Sequence, residues 1–204
     1  MSIAYQFCGC QERRRIVANA NHSGLGPMLG KKIADYKVTE PFQQAVMNSM
    51  VDYIKNPSGW FSICGEPGSG KTLACMIIAN DLLRHGKILR FISWPELVRE
   101  TSVDWYRQKN ILQEFKDVEV LYIDDFLKVA SDARAVQIAY EILNYRYNHE
   151  ALTIISGERG LKELMSIDPA LGSRIYEMSR THFIDIGHGT EKNQRMKRGE
   201  TSNV

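Results

Sequence analysis

No apolar run in this 204-residue chain is long enough to span a bilayer, and its N-terminus lacks the apolar stretch of a signal peptide. A cytoplasmic protein with no membrane partner is therefore expected. Cysteine is scarce, with four in all, and in that compartment they argue against disulfides. An excess of one charge is also missing. Lys and Arg number 26 against 24 Asp and Glu, a net +2, so any role on nucleic acid must rest on a local patch. Neither internal repeats nor low-complexity segments are visible. What remains is ordinary, 44% hydrophobic and 25% charged, and the length suits one α/β domain with short extensions.

One stretch is not ordinary. Gly65-Glu66-Pro67-Gly68-Ser69-Gly70-Lys71-Thr72 carries two glycines at P-loop spacing followed by Lys and Thr. An apolar run over residues 60–64 precedes it, and a helical pattern over 73–79 follows. Small residues let successive backbone N–H groups turn inward around phosphate oxygens, and the next helix aims its positive end at them. Lys71 would reach the outer phosphates, and the Thr72 hydroxyl would ligate Mg²⁺. The chain is thus expected to bind a nucleoside triphosphate.

A second constellation lies some fifty residues on. The strand-like run over 118–123 ends in Asp124 and Asp125, the Walker B arrangement. Asp124 would hold Mg²⁺ through water, and Asp125 would polarise the attacking water.

Further strands are expected at 88–92, 152–156 and 181–186. Helices are expected at 41–55, with Ala45, Val46, Met50, Val51 and Ile54 on its buried face, and at 96–99, 105–115, 131–148, 161–165 and 169–178. Strands alternating with helices mean an α/β fold, a parallel five-stranded sheet covered on both faces. Right-handed crossovers then bring the loop ends bearing Lys71, Asp124 and Ser156 to one edge.

The N-terminal stretch reads less sharply. Cys8 and Cys10, with His22 nearby, are either free thiols or part of an incomplete zinc site. Arg13, Arg14 and Arg15 are either a solvated face or a polyanion contact. Residues 23–37, with Gly24, Gly26, Pro27 and Gly30, read as a linker or extended arm. Arg99, Arg107 and Lys109 interleave with Trp105 and Tyr106, which suits a single-stranded nucleic-acid channel or, equally, an aromatic core under a wet charged face. The tail from Gly187 carries Lys192, Arg195, Lys197 and Arg198, and its end is expected to be mobile.

With both Walker elements in place, the chain resembles an AAA+ ATPase over about residues 41–197. More narrowly it resembles the bacterial and phage helicase loaders of the DnaC/DnaI type, which share their ATPase core with IstB-type transposition helpers. The resembling runs are Thr153-Ile154-Ile155-Ser156-Gly157-Glu158-Arg159 and Asp168-Pro169-Ala170-Leu171-Gly172-Ser173-Arg174-Ile175-Tyr176-Glu177-Met178, and residues 172–178 are what narrow the match.

The resemblance implies residues 1–37 as an N-terminal extension or linker with a partial cysteine motif, and 38–204 as the ATPase domain without a C-terminal helical lid. Arg174 matches the arginine finger that reaches a γ-phosphate held by a neighbouring subunit. Residues 156–158 match the sensor-1 position, with Glu158 where Asn is usual, and Asn193-Gln194-Arg195 lies where a sensor-2-like arginine falls. Asp125 replaces the commoner Glu and shortens the reach to water by a methylene, which implies slow hydrolysis.

The function implied is ATP-dependent loading of a replicative DNA helicase. It would use ATP, Mg²⁺ and single-stranded DNA, and the subunits would associate with one another when ATP is bound. Two other readings stand beside it: a transposition helper on duplex DNA, and a nucleotide-binding interaction module that does not hydrolyse ATP.

Overall fold

A computed structural model describes residues 9–102, 105–128 and 132–196, with side chains for all of these but 9–12 and 105–107. Five strands form one sheet: β1 (Trp60–Cys64), β2 (Leu89–Ser93), β3 (Val120–Phe126), β4 (Leu152–Gly157) and β5 (Phe183–Asp185), in the order β2-β3-β4-β1-β5. Every neighbouring pair is parallel. The expected α/β fold and its five parallel strands are therefore present. Among the described residues no helix is long and apolar enough to cross a membrane.

All five residues of β1 are buried, as a middle strand covered on both faces requires. The period of two sorts the sheet's side chains into two cores. Phe61, Ile63, Val120, Tyr122 and Ile154 pack toward α2 (Pro41–Lys55) and α3 (Lys71–Arg84). Trp60, Leu121, Ile123 and Ile155 pack toward α4 (Trp94–Glu100), α5 (Trp105–Asp117), α6 (Ala133–Asn148), α7 (Leu161–Ile167) and α8 (Pro169–Ser179). α3 is almost wholly inside, every residue from Ala74 to Leu83 being buried. Gly86, at φ 81°, follows its end. On α6 the buried face is Ala135, Ile138, Ala139, Ile142, Leu143 and Arg146.

Several expectations are corrected. On α2 the buried face is Gln43, Val46, Met50 and Tyr53, while Ala45 is exposed. Gln43 is drawn inward because its Oε1 accepts from Thr39 N at 2.7 Å and Glu40 N at 3.0 Å, closing the helix start. β5 is shorter than expected, because a 3₁₀ turn over Arg180–His182, with Arg180 at φ 43°, uses up its beginning.

The extension is not loose. Gly9–His22 is a helix, α1, missed because its polar composition shows no strong apolar stripe. Arg13, Arg14 and Arg15 lie exposed along it. Residues 23–37, read as a linker or an extended arm, are an arm docked on α3. Asn80 on that helix accepts from Gly30 N at 2.6 Å and donates to Met28 O at 3.0 Å. Ser23 O accepts from Phe91 N at 2.7 Å, and Leu25 and Tyr36 are buried.

Candidate functional site

β1 delivers the chain to Gly65, whose φ of 123° only glycine takes easily. A side chain there would also strike the Gly187 carbonyl, 2.8 Å from an ideal Cβ. Gly68 and Gly70 are likewise left-handed, at φ 76° and 96°, so the loop folds back before α3 begins at Lys71. Lys71 is 7% exposed. Its Nζ donates to Gly65 O at 2.8 Å and Glu66 O at 2.7 Å. Burial lowers its pKa, against the pull of Glu158 and Asp125.

The second strand tip meets the first. Thr72 Oγ1 donates to Asp124 Oδ1 at 3.1 Å, joining the P-loop helix to the end of β3. Two more hydroxyls converge on that oxygen: Tyr122 at 3.1 Å, and Ser156 in a close contact. Tyr122 is fully buried, and burial raises its pKa well above the usual tyrosine value, so it remains a protonated donor. Between Ile123 and Phe126 the pairing with β4 slips, and within that irregularity Asp125 adopts φ 53°. Its carboxylate faces Lys128, whose Nζ lies 3.2 Å from Asp125 Oδ2 and 3.0 Å from Glu158 Oε1.

Lys71, Thr72, Asp124, Asp125, Lys128 and Glu158 line one cleft of about 790 Å³, together with Pro67, Gly68, Ser69 and Gly70. Met28, Tyr36, Lys37 and Thr39 of the docked arm form another wall. Burial pushes the Tyr36 hydroxyl up to about 12. The segment after β5 closes the loop from behind. Glu66 N donates to Gly187 O at 3.0 Å, Gln194 N donates to Gly68 O at 3.1 Å, and the Asn193 amide sits where a Gly68 side chain would go. Arg195 lines the cleft.

Lys71, Thr72, Asp124 and Asp125 are thus brought together, as are Ser156 and Glu158 of the sensor-1 run, through different partners. Arg174 is not among the residues lining this cleft. It lies on α8, its Nη1 donating to Ala170 O at 3.0 Å and its guanidinium over Tyr140 and Tyr147 at 5.2 and 5.5 Å. In the expected basic and aromatic stretch, Arg99 is exposed and 3.7 Å from Glu96, and Lys109 is exposed. The side chains of Trp105, Tyr106 and Arg107 lie outside the described residues. So do Cys8, the Cys10 side chain, Lys197 and Arg198, whereas Cys64 and Cys75 are buried thiols.

Sequence reasoning missed Tyr122, Lys128 and Tyr36. Tyr122 had a signal, since strand alternation puts it on the same side as Asp124 two residues later. Nothing marked Lys128, and Tyr36 was hidden inside the supposed linker.

The chemistry of such a cleft is that of an anion held by backbone N–H groups and a buried ammonium. A hydroxyl and a carboxylate 3.1 Å apart form a hard-oxygen pair that suits Mg²⁺.

Comparison with known proteins agrees. Residues 10–196 match the family model described as "IstB-like ATP binding protein". Among curated relatives, the uncharacterized protein YqaM of Bacillus subtilis strain 168 is 29% identical over 93% of this chain and 66% of its own. The phage-like element PBSX protein XkdC of the same strain is 33% identical over 67% of this chain and 54% of its own. The chain therefore spans between about half and two thirds of these relatives. Among solved structures, DnaI superposes with TM-score 0.66 at 19% identity, covering 78% of this chain and 89% of that one. The DnaC helicase loader gives 0.65 at 22%, covering 75% and 96%. The replication initiator DnaA bound to AMPPCP and single-stranded DNA gives 0.67 at 18%, covering 88% and 56%. At these identities the likeness is one of fold.

Proposed function

Because this chain belongs to the IstB-like ATP binding protein family, we propose that it is an ATP-hydrolysing AAA+ switch that loads a replicative DNA helicase onto single-stranded DNA. The observation that carries the nucleotide part is the Thr72 to Asp124 hydrogen bond at 3.1 Å, which joins the phosphate loop and the acid pair at one cleft. The loader part is supported by the fold shared with DnaI and the DnaC helicase loader.

In this reading the P-loop amides cradle the phosphates. Lys71 Nζ turns from the Gly65 and Glu66 carbonyls to the outer phosphates. Thr72 and Asp124 would hold Mg²⁺, which when bound would neutralise phosphate charge. Asp125 orients the attacking water and takes its proton on a carboxylate oxygen. Arg174 acts on the nucleotide of a neighbouring copy, its guanidinium held ready by Tyr140 and Tyr147. Asp125 is shorter than glutamate by one methylene, which favours slow turnover and suits a timed switch.

A second reading, a transposition helper acting on duplex DNA, draws support from the IstB likeness of the matched family. The two separate on DNA preference. ATP turnover measured alone, with single-stranded and with duplex DNA is expected to rise with the single strand, and the ATP-bound chain is expected to capture a helicase hexamer. Stimulation by duplex alone, with no helicase captured, would favour the second reading.

A further inference from the structure

The turn after the acid pair is built in an uncommon way. Asp125 and Leu127 both stand at φ 53°, a region that residues other than glycine seldom occupy. Leu127 is fully buried, and its carbonyl accepts from Arg159 Nε at 2.8 Å. Lys128 N donates to Asp125 O at 3.1 Å and closes the turn. The consequence is a fixed place for one side chain. The Lys128 ammonium sits on the wall of the cleft that Lys71, Thr72 and Asp124 also line, bridging Asp125 and Glu158.

Stability does not account for this arrangement. Lys128 is 43% exposed and its two partners 37% and 30%, and ion pairs so open to water contribute little. Charge in the cleft does account for it. Four carboxylates, Asp35, Asp124, Asp125 and Glu158, line the same cleft as the loop that would cradle phosphates, and two of them, Asp125 and Glu158, flank Lys128. Lys37, Lys71 and Arg195 line it too, so without Lys128 four acids would face three cations and a terminal phosphate would be disfavoured. Partial burial by itself would lower the Lys128 pKa, but Glu158 and Asp125 outweigh it and hold it raised, so the ammonium is charged at neutral pH.

We propose that Lys128 is a second phosphate-directed cation of the cleft, one that binds the terminal phosphate of a nucleoside triphosphate and thereby separates triphosphate from diphosphate. It rests on the reading of the cleft as a nucleotide site. Without the third phosphate, Lys128 stays with Asp125 and Glu158. With it, the ammonium turns to the phosphate and leaves the Asp125 carboxylate free to orient water.

The test uses the full chain, with Lys128→Met and Lys128→Arg, titrated with fluorescent N-methylanthraniloyl ATP and ADP in the presence of Mg²⁺, alongside steady-state turnover. Lys128→Met is expected to weaken ATP binding about tenfold or more, the scale of one charge-assisted hydrogen bond. ADP binding should stay unchanged, kcat should fall, and Lys128→Arg should recover most of the ATP preference. Equal losses for both nucleotides, or no loss for either, overturn the proposal. Should the unsubstituted chain bind neither nucleotide, the functional reading fails first and takes this inference with it. Binding of both by the unsubstituted chain and by Lys128→Met alike overturns this inference alone.

Discussion

Replacing Lys71 by alanine is expected to lower ATP turnover by about a hundredfold or more, the scale seen when one preorganised donor to a charged transition state is removed. Lys71 is 7% exposed at the first turn of α3, and its ammonium lies within 2.8 Å of two loop carbonyls. A short rotation would carry it to a phosphate in the cleft. Some stability should be lost as well, since the buried Gly65 carbonyl loses its donor. Phosphate release and a thermal melt, measured together, separate the two effects. Mixing Lys71→Ala chains with Arg174→Ala chains adds a second readout. Each alone should be inactive, and the mixture should regain turnover, because an intact loop on one copy then meets an intact Arg174 on another. Turnover in Lys71→Ala within tenfold of the unsubstituted chain would contradict the assignment.

The largest expected effect on stability lies far from the cleft. Arg146 on α6 is fully buried without a carboxylate partner among the described residues. Its Nε donates to Thr153 Oγ1 at 2.9 Å. Its Nη1 donates to Phe115 O and Lys116 O at 3.0 Å and to Val118 O at 2.8 Å, and its Nη2 donates to Leu152 O. One guanidinium thus ties the end of α5 to the segments entering β3 and β4. Burial lowers its pKa to about 10, still well above neutral, so the charge is kept and spread over carbonyl dipoles.

Arg146→Ala strands these carbonyls in a cavity and is expected to cost about 3–5 kcal/mol. For a domain of this size that is a fall of about 6–20 °C in Tm. Arg146→Lys keeps the charge but has three donors in place of five, and should fall between. Urea unfolding decides it, and a loss under about 1 kcal/mol for Arg146→Ala would contradict this account.

The cleft was legible where its chemistry is local. Glycines at 65, 68 and 70 followed by Lys71 and Thr72 carry their geometry with them, because left-handed backbone and helix start are settled within a few residues. Asp124 and Asp125 were legible because two acids at a strand end, a weak signal alone, gain meaning some fifty residues after a P-loop. What was missed depends on partners distant in sequence. The arm over 23–37 looked like a linker until Asn80, fifty residues beyond Gly30, tied it down. Gln43 and Arg146 look like surface residues by type, and each is inside because backbone groups from other segments satisfy it. The inward face of α2 was misjudged for the same reason, since hydrogen bonding drew Gln43 in where apolar spacing pointed to Ala45.

The proposal about the cleft stands on the glycine loop and the acid pair sharing one metal–triphosphate. The most direct measurement is a crystal structure of the chain with a non-hydrolysable ATP analogue and Mn²⁺, with the metal located by its anomalous scattering. A single peak within direct or one-water reach of both Thr72 Oγ1 and Asp124 Oδ1, beside phosphates cradled by residues 65–72, is the result predicted. A nucleotide bound outside this cleft, or a metal held by neither residue, would contradict it.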